Sequence, residues 1–303
     1  SNVDVFTGGA GSDKFAYTAD SLLFNGSNAL IDSITGGDGT DAIQINNNGL
    51  ATFNIIANDS WASNLTSVES IEAAGDTNQI ISVILNANAH NNGIVTVDLS
   101  NDGLAGQTNV INVSAEGEAR AFTLTGSAGI DQITGGAGGD TIKGGAADDV
   151  LSGGDGADNI AGEAGADTIT GGAGQDIITS GTGKDILKYT LGGGESTLAK
   201  PDTVTDFTTG DDTIRISYTA AEAAETLDFT FKGATPNVSE GIGLLSSVKG
   251  QYVFNTSTNA ALFDIGNLGL LQSSDLGIKL TGVSTLADGD VAFDITTNAA
   301  NAG

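Results

Sequence analysis

The chain has 303 residues, with 38 Asp and Glu against 10 Lys and Arg, a formal net charge of -28, 45 Gly, 2 Pro, and neither Cys nor Met. Without cysteine there is no disulfide scaffold, thiolate metal site or thiol nucleophile, and the few scattered cations form no basic patch for nucleic acid or an anionic membrane. The excess carboxylate points instead to a hard cation that takes oxygen ligands, and at 39% hydrophobic residues the chain can still bury a core.

No run approaches the length of a membrane span, and Ser1 to Thr7 carry neither the charged nor the apolar part of a Sec signal. Direct membrane insertion is therefore not expected. A start in mid-pattern at Ser1, without an initiator Met, reads as the later part of a longer protein. Within residues 1–44, Gly8–Ala16 reads GGAGSDKFA and Gly36–Gln44 reads GGDGTDAIQ, placing Asp13 and Asp41 at one phase. Asp4 and Phe6 keep that phase one unit earlier.

In residues 45–125 the glycine pattern lapses, but short β-branched runs continue: FNII from Phe53, VESIE from Val68, IISVIL from Ile80, IVTVDL from Ile94, VINVS from Val110 and FTLT from Phe122. Their starts lie about 12 to 16 residues apart, with Asn, Gly and Ser between them. That spacing predicts the rungs of a solenoid wider than the segment that follows. An antiparallel sandwich is the alternative, although tight two-residue hairpin turns are missing.

Residues 126–188 are seven consecutive nine-residue units: GSAGIDQIT, GGAGGDTIK, GGAADDVLS, GGDGADNIA, GEAGADTIT, GGAGQDIIT and SGTGKDILK. Asp131, Asp140, Asp149, Asp158, Asp167, Asp176 and Asp185 share one position, and two residues after each comes Ile or Leu. Glycines at the first, second and fourth positions permit a turn with positive φ and close backbone approach. The three residues after the turn make a short strand whose middle side chain points inward. Two turns and two strands then close one flattened coil. One apolar side chain per nine residues is too little to hold such a coil, since the entropy of ordering the chain exceeds it. The recurring Asp, joined by main-chain carbonyls, offers an all-oxygen cage for a metal that then forms part of the core.

These units resemble the calcium-binding nonapeptides of the RTX family. The resemblance implies an all-β fold: a calcium-binding parallel β-roll, flanked by a solenoid-like region over 45–125 and a β-rich region over 189–303. It implies that two units make each turn of the roll and that calcium sits between successive turns. Asp131, Asp149, Asp167 and Asp185 would line one edge, and Asp140, Asp158 and Asp176 the other. The turns opening at Gly135, Gly144, Gly153, Gly162 and Gly171 complete the implied ligand set, with about five calcium ions in the roll. Asp13 and Asp41 are implied metal residues in the isolated units. The chain departs from the pattern at Ser127, Ala147, Glu163 and Ser180.

Downstream, PDTVTDFTTGDDTIRI (Pro201–Ile216) resembles the segment after the repeats in type I-secreted RTX proteins, and TAAEAAETL (Thr219–Leu227) reads as one short helix. The stretch from Gly250 to Ile295 resembles the family's terminal hairpins and uncleaved secretion end. The resemblance thus implies the type I secretion machinery as an export partner and a secreted, extracellular or cell-surface location.

Catalysis has little to work with. His90 is the only histidine, which excludes HExxH and multi-histidine zinc sites. In NANAHNNG it reads as a loop residue, and Trp61 in NDSWASNL reads as packing rather than as a sugar platform. Paired carboxylates remain open, but no spacing selects a pair. Thr flanks both sides of the inward residue in one unit alone, Thr168 and Thr170, so a flat threonine ice-binding face is not expected. The expected role is non-catalytic: the calcium-dependent structural region of a surface protein such as an S-layer subunit or adhesin, with self-association or a cell-surface polysaccharide as partner. The alternative is the calcium-binding and secretion region of a secreted hydrolase, lyase or toxin whose catalytic domain lies upstream. A weaker third reading is a carbohydrate-active solenoid using carboxylates between Gln44 and Leu124.

Overall fold

The computed structural model describes residues 4–18, 32–46, 52–56, 64–75, 80–86, 93–103, 105–115, 119–190, 195–197, 200–220, 230–235, 251–255, 260–264, 276–283, 286–287 and 290–297. Every named element among them is a β-strand. His90, Trp61 and most of the stretch read as a helix lie outside these residues. Where that stretch is described, at Thr219–Ala220, it ends the strand Thr213–Ala220 instead. The segment TIRISYTA is rich in β-branched residues and pairs with Ile186–Thr190 on one side and Val291–Thr297 on the other.

The strands build a succession of coils with two main faces. One face is a nine-stranded sheet, parallel throughout, running from Phe53–Ile56 through Ile81–Asn86, Thr108–Ala115 and the first, third, fifth and seventh units of the repeat to Thr213–Ala220 and Val291–Thr297. The other has thirteen strands and is parallel from Lys14–Tyr17 to Asp202–Val204 and Leu276–Leu280. A third, short parallel sheet joins Val5–Ala10, Ser33–Asp38 and Leu65–Thr66.

Register follows from the inward residues, one per strand in the repeats and two or three in the wider strands such as Ile81–Asn86. Ile55, Val83, Ile111, Ile133, Leu151, Ile169, Leu187 and Ile214 stack in one column. Ile43, Ile71, Val97, Leu124, Ile142, Ile160, Ile178, Val204 and Leu280 stack in the other. Both columns are buried and run through the core. In the repeats a coil advances 18 residues, whereas equivalent positions upstream lie 28 apart. The runs of residues 45–125 are therefore parallel rungs of a wider coil on the same two faces, and the antiparallel sandwich is not formed. Antiparallel pairing is seen where Gln251–Asn255, Ala260–Asp264 and Leu276–Leu280 meet, within the segment expected to form hairpins.

Two departures from the glycine pattern carry strain. Ala147 has φ 72° and Glu163 has φ 74°, the left-handed region that costs an L-residue about 1–2 kcal/mol. Ala147→Gly and Glu163→Gly are each expected to stabilise the calcium-loaded protein by about 0.5–1 kcal/mol, after the extra freedom of glycine in the unfolded chain is subtracted. Thermal unfolding in millimolar calcium checks this, and a lower midpoint for both variants would contradict it.

Candidate metal centre

Each repeat Asp enters the coil at the end of its glycine turn and is sealed there by the coils above and below. Asp131, Asp140, Asp149, Asp158, Asp167, Asp176 and Asp185 are all at most 2% exposed. Their side chains form two ladders. On one edge, Asp149, Asp167, Asp185 and Asp212 accept through Oδ1 from the main-chain N–H of Asp131, Asp149, Asp167 and Asp185 at 2.8, 2.9, 2.9 and 3.1 Å. On the other, Asp140, Asp158, Asp176 and Asp202 accept from Phe122, Asp140, Asp158 and Asp176 at 2.7, 2.7, 2.9 and 3.0 Å. The sequence assignment of alternate Asp residues to opposite edges matches these two rows.

One carboxylate oxygen of most ladder residues is thereby satisfied, and the second is not. Oδ2 of Asp149, Asp158, Asp167, Asp176, Asp185 and Asp202 is buried without a hydrogen-bond partner, as is Oδ1 of Asp131. Asp140 differs, since its Oδ2 accepts from Gly136 N at 2.7 Å. Burying an unpaired carboxylate is costly unless a proton or a cation compensates it. Desolvation accordingly pushes the carboxyls up, to about 8 for Asp149, about 7 for Asp158, and about 6 for Asp131, Asp167 and Asp176. Main-chain hydrogen bonds oppose the rise, and for Asp149 and Asp158 the carboxylates one coil away add to it.

A cradle accompanies the free oxygens of Asp149, Asp158, Asp167 and Asp176. A Cβ placed on Gly153 would collide with Oδ2 of Asp158 and with the carbonyl of Gly171, so glycine leaves a gap where carboxylate and carbonyl oxygens converge. Gly126, Gly135, Gly144 and Gly162 repeat this pairing of an Asp Oδ2 with a carbonyl from the next coil, while Gly171 faces Asp176. Among the described residues no group of three or more acidic or histidine side chains converges on one point. The donor set is therefore mixed carboxylate and carbonyl, all hard oxygen, which suits calcium rather than zinc or copper.

Residues 125–160 and 152–187 each match the family described as the RTX calcium-binding nonapeptide repeat (4 copies). Residues 125–187 are RTX calcium-binding repeats. No curated protein matches the chain. RTX repeats bind calcium, and the orphaned Asp oxygens with their glycine cradles are where this chain can hold it: when bound, the ion supplies positive charge to a buried row of carboxylates. RTX repeats occur in secreted proteins, and no helix among the described residues is long and apolar enough to cross a membrane.

The same construction extends beyond the matched repeats. Asp41 accepts through Oδ1 from Asp13 N at 2.7 Å, and Oδ2 of both residues is buried and unpartnered. Asp41 N donates to Glu69 Oε2 at 2.8 Å, and Asp4 N to Asp32 Oδ1 at 3.1 Å. A Cβ on Gly36 would strike Asp41 Oδ2 and the Ser67 carbonyl, so this isolated unit has the cradle too. The reading from glycine motifs missed Asp202, Asp212, Glu69 and Asp32. Each nevertheless stands two residues before an inward aliphatic, at Val204, Ile214, Ile71 and Ile34. An acid at that offset becomes a signal once the register of the coils shows which aliphatic points inward.

The raised carboxyls fix a pH dependence without calcium. A folded-state pKa near 6–8 against an unfolded value near 3.9 means the folded chain holds more protons between those limits. The stabilisation from protonating the ladder is full below about pH 4 and is lost as pH rises through about 6 to 8. In chelator, the unfolding midpoint is expected to rise as pH is lowered from 8 to 5; in millimolar calcium, where protons compete with the ion, it is expected to fall. Parallel melts in the two conditions test this, and identical pH trends would contradict it.

Proposed function

We propose that this chain is the calcium-dependent, non-catalytic structural region of a type I-secreted surface protein of the S-layer or adhesin kind. The observation that carries the proposal is the pair of buried aspartate ladders with unpartnered oxygens, continued on both sides by coils with no break in the two sheets. Such a chain stays open where calcium is scarce and closes around the ion outside the cell.

The charge distribution supports assembly through further calcium. Residues 126–188 hold 10 acidic and 3 basic residues, a net -7, whereas residues 1–125 hold 14 and 2 (-12) and residues 189–303 hold 14 and 5 (-9). About five divalent ions turn the roll from -7 to about +3 and leave the flanks strongly negative. Those flanks are the surfaces on which calcium bridges copies of the chain or recruits an anionic surface polysaccharide. Sedimentation velocity across a calcium titration tests the reading. Calcium-driven, chelator-reversible assembly is expected; a folded chain that remains monomeric throughout favours the accessory region of a secreted enzyme or toxin.

A further inference from the structure

The ladder through Asp149, Asp167, Asp185 and Asp212 changes character at its upstream end. The residue that takes the ladder position there is Asn109, fully buried, whose Oδ1 accepts from Ile81 N at 2.8 Å. That bond fixes which end of the carboxamide is oxygen, because a main-chain N–H is a donor only. The amide nitrogen therefore faces the other way, and it donates to Oδ2 of buried Asp102 at 3.2 Å and to Oγ of Ser127 at 3.1 Å.

Ser127 stands where the repeat has its second glycine. Its Oγ also accepts from Gly129 N at 3.0 Å and donates to Asp131 Oδ2 at 2.9 Å, while its N–H reaches the same oxygen at 2.7 Å. Asp131 Oδ2 keeps its place beside the unit's first glycine, Gly126, but is satisfied there by Ser127, so its unpartnered oxygen is Oδ1, whereas that of its five downstream neighbours from Asp149 to Asp185 is Oδ2. This cluster of oxygens is arranged around an NH₂ group, a fixed pair of donors carrying partial positive charge.

We infer that the Asn109 side-chain amide stands where a cation would otherwise sit, ending the calcium row at the Asn109–Asp131 step and letting the upstream coils on this edge close without an ion. Asn109 is thus a specificity-determining residue for metal placement. The inference rests on calcium binding by the repeats. A carboxylate at this position keeps the acceptor for Ile81 N but loses both donors, and it brings a third acid beside Asp102 and Asp131. That is an oxygen set for a hard cation.

The test compares the full chain with Asn109→Asp, Asn109→Ala and the double variant Asn109→Asp/Asp102→Asn, using bound calcium per chain after equilibrium dialysis and the melting midpoint with and without chelator. Asn109→Asp is expected to bind one more calcium than the parent, to melt lower in chelator, and to recover in calcium. Asn109→Ala should lose stability equally in both conditions with no gain of ion, and the double variant should lose the added ion. An Asn109→Asp chain with the parent's calcium count, whether folded or not, overturns the inference. A parent that binds no calcium overturns the calcium reading and this inference with it.

Discussion

Removing calcium is expected to unfold the coils of residues 126–188. At extracellular-type affinities near 10⁻⁴ M and about 1 mM calcium, each site contributes about 1.4 kcal/mol, so about five sites contribute about 7. That is comparable with the whole net stability of a domain, about 5–15 kcal/mol. At about 10⁻⁷ M, a cytosolic level, the same sites add almost nothing. The physical reason lies in the core: one aliphatic per strand is buried, and beside it a row of carboxylates whose second oxygens have no partner. Chelator is expected to abolish the β-sheet circular dichroism of the repeats and millimolar calcium to restore it. A spectrum indifferent to both would contradict this.

The second large effect reverses sign with conditions. Asp158 sits in the middle of its ladder, 2% exposed, with Oδ1 bonded to Asp140 N and Oδ2 unpartnered beside the Gly153 cradle. Asp158→Asn keeps shape and the Oδ1 acceptor, removes the buried charge, and offers the Gly171 carbonyl a donor. In chelator it is expected to be more stable than the parent by about 1–3 kcal/mol, the cost of an unmet buried polar group. In calcium it loses a charged ligand and is expected to be less stable by a similar amount, about 1–3 kcal/mol. Denaturant titrations of both proteins in both conditions measure it. A variant destabilised equally with and without calcium would show that Asp158 serves the coil only as a hydrogen-bond acceptor. Asn109 is a natural instance of the same exchange within a ladder.

The repeats themselves were legible because nine residues encode strand, turn and ligand together. Gly153, Asp158 and Ile160 each have one job, and the structure gives each the neighbour its chemistry calls for. The wider coils were legible as rungs from runs such as IISVIL and VINVS, whose inward residues Val83 and Ile111 pair as one column. The ladder's extension was not, because Asp202, Asp212 and Glu69 lack the glycine turn that marks an Asp in the repeats. What identifies them is a register with coils 26 to 28 residues away, a distance that local pattern does not carry. Asn109 was hidden for a further reason: an Asn before Val and Ile reads as an ordinary strand residue until the Ile81 N–H and the Asp102 carboxylate are placed on either side of it. Of the helix expected over Thr219–Leu227, Thr219–Ala220 alone are described, and there pairing with Thr296–Thr297 extends the strand Thr213–Ala220.

The most direct test of the central claim is the number of calcium ions bound per chain, measured by elemental analysis after dialysis against about 1 mM calcium and again after chelator. About five are expected in the roll, lost together with its β-sheet signal in chelator. A chain that keeps that signal with no bound calcium would contradict it.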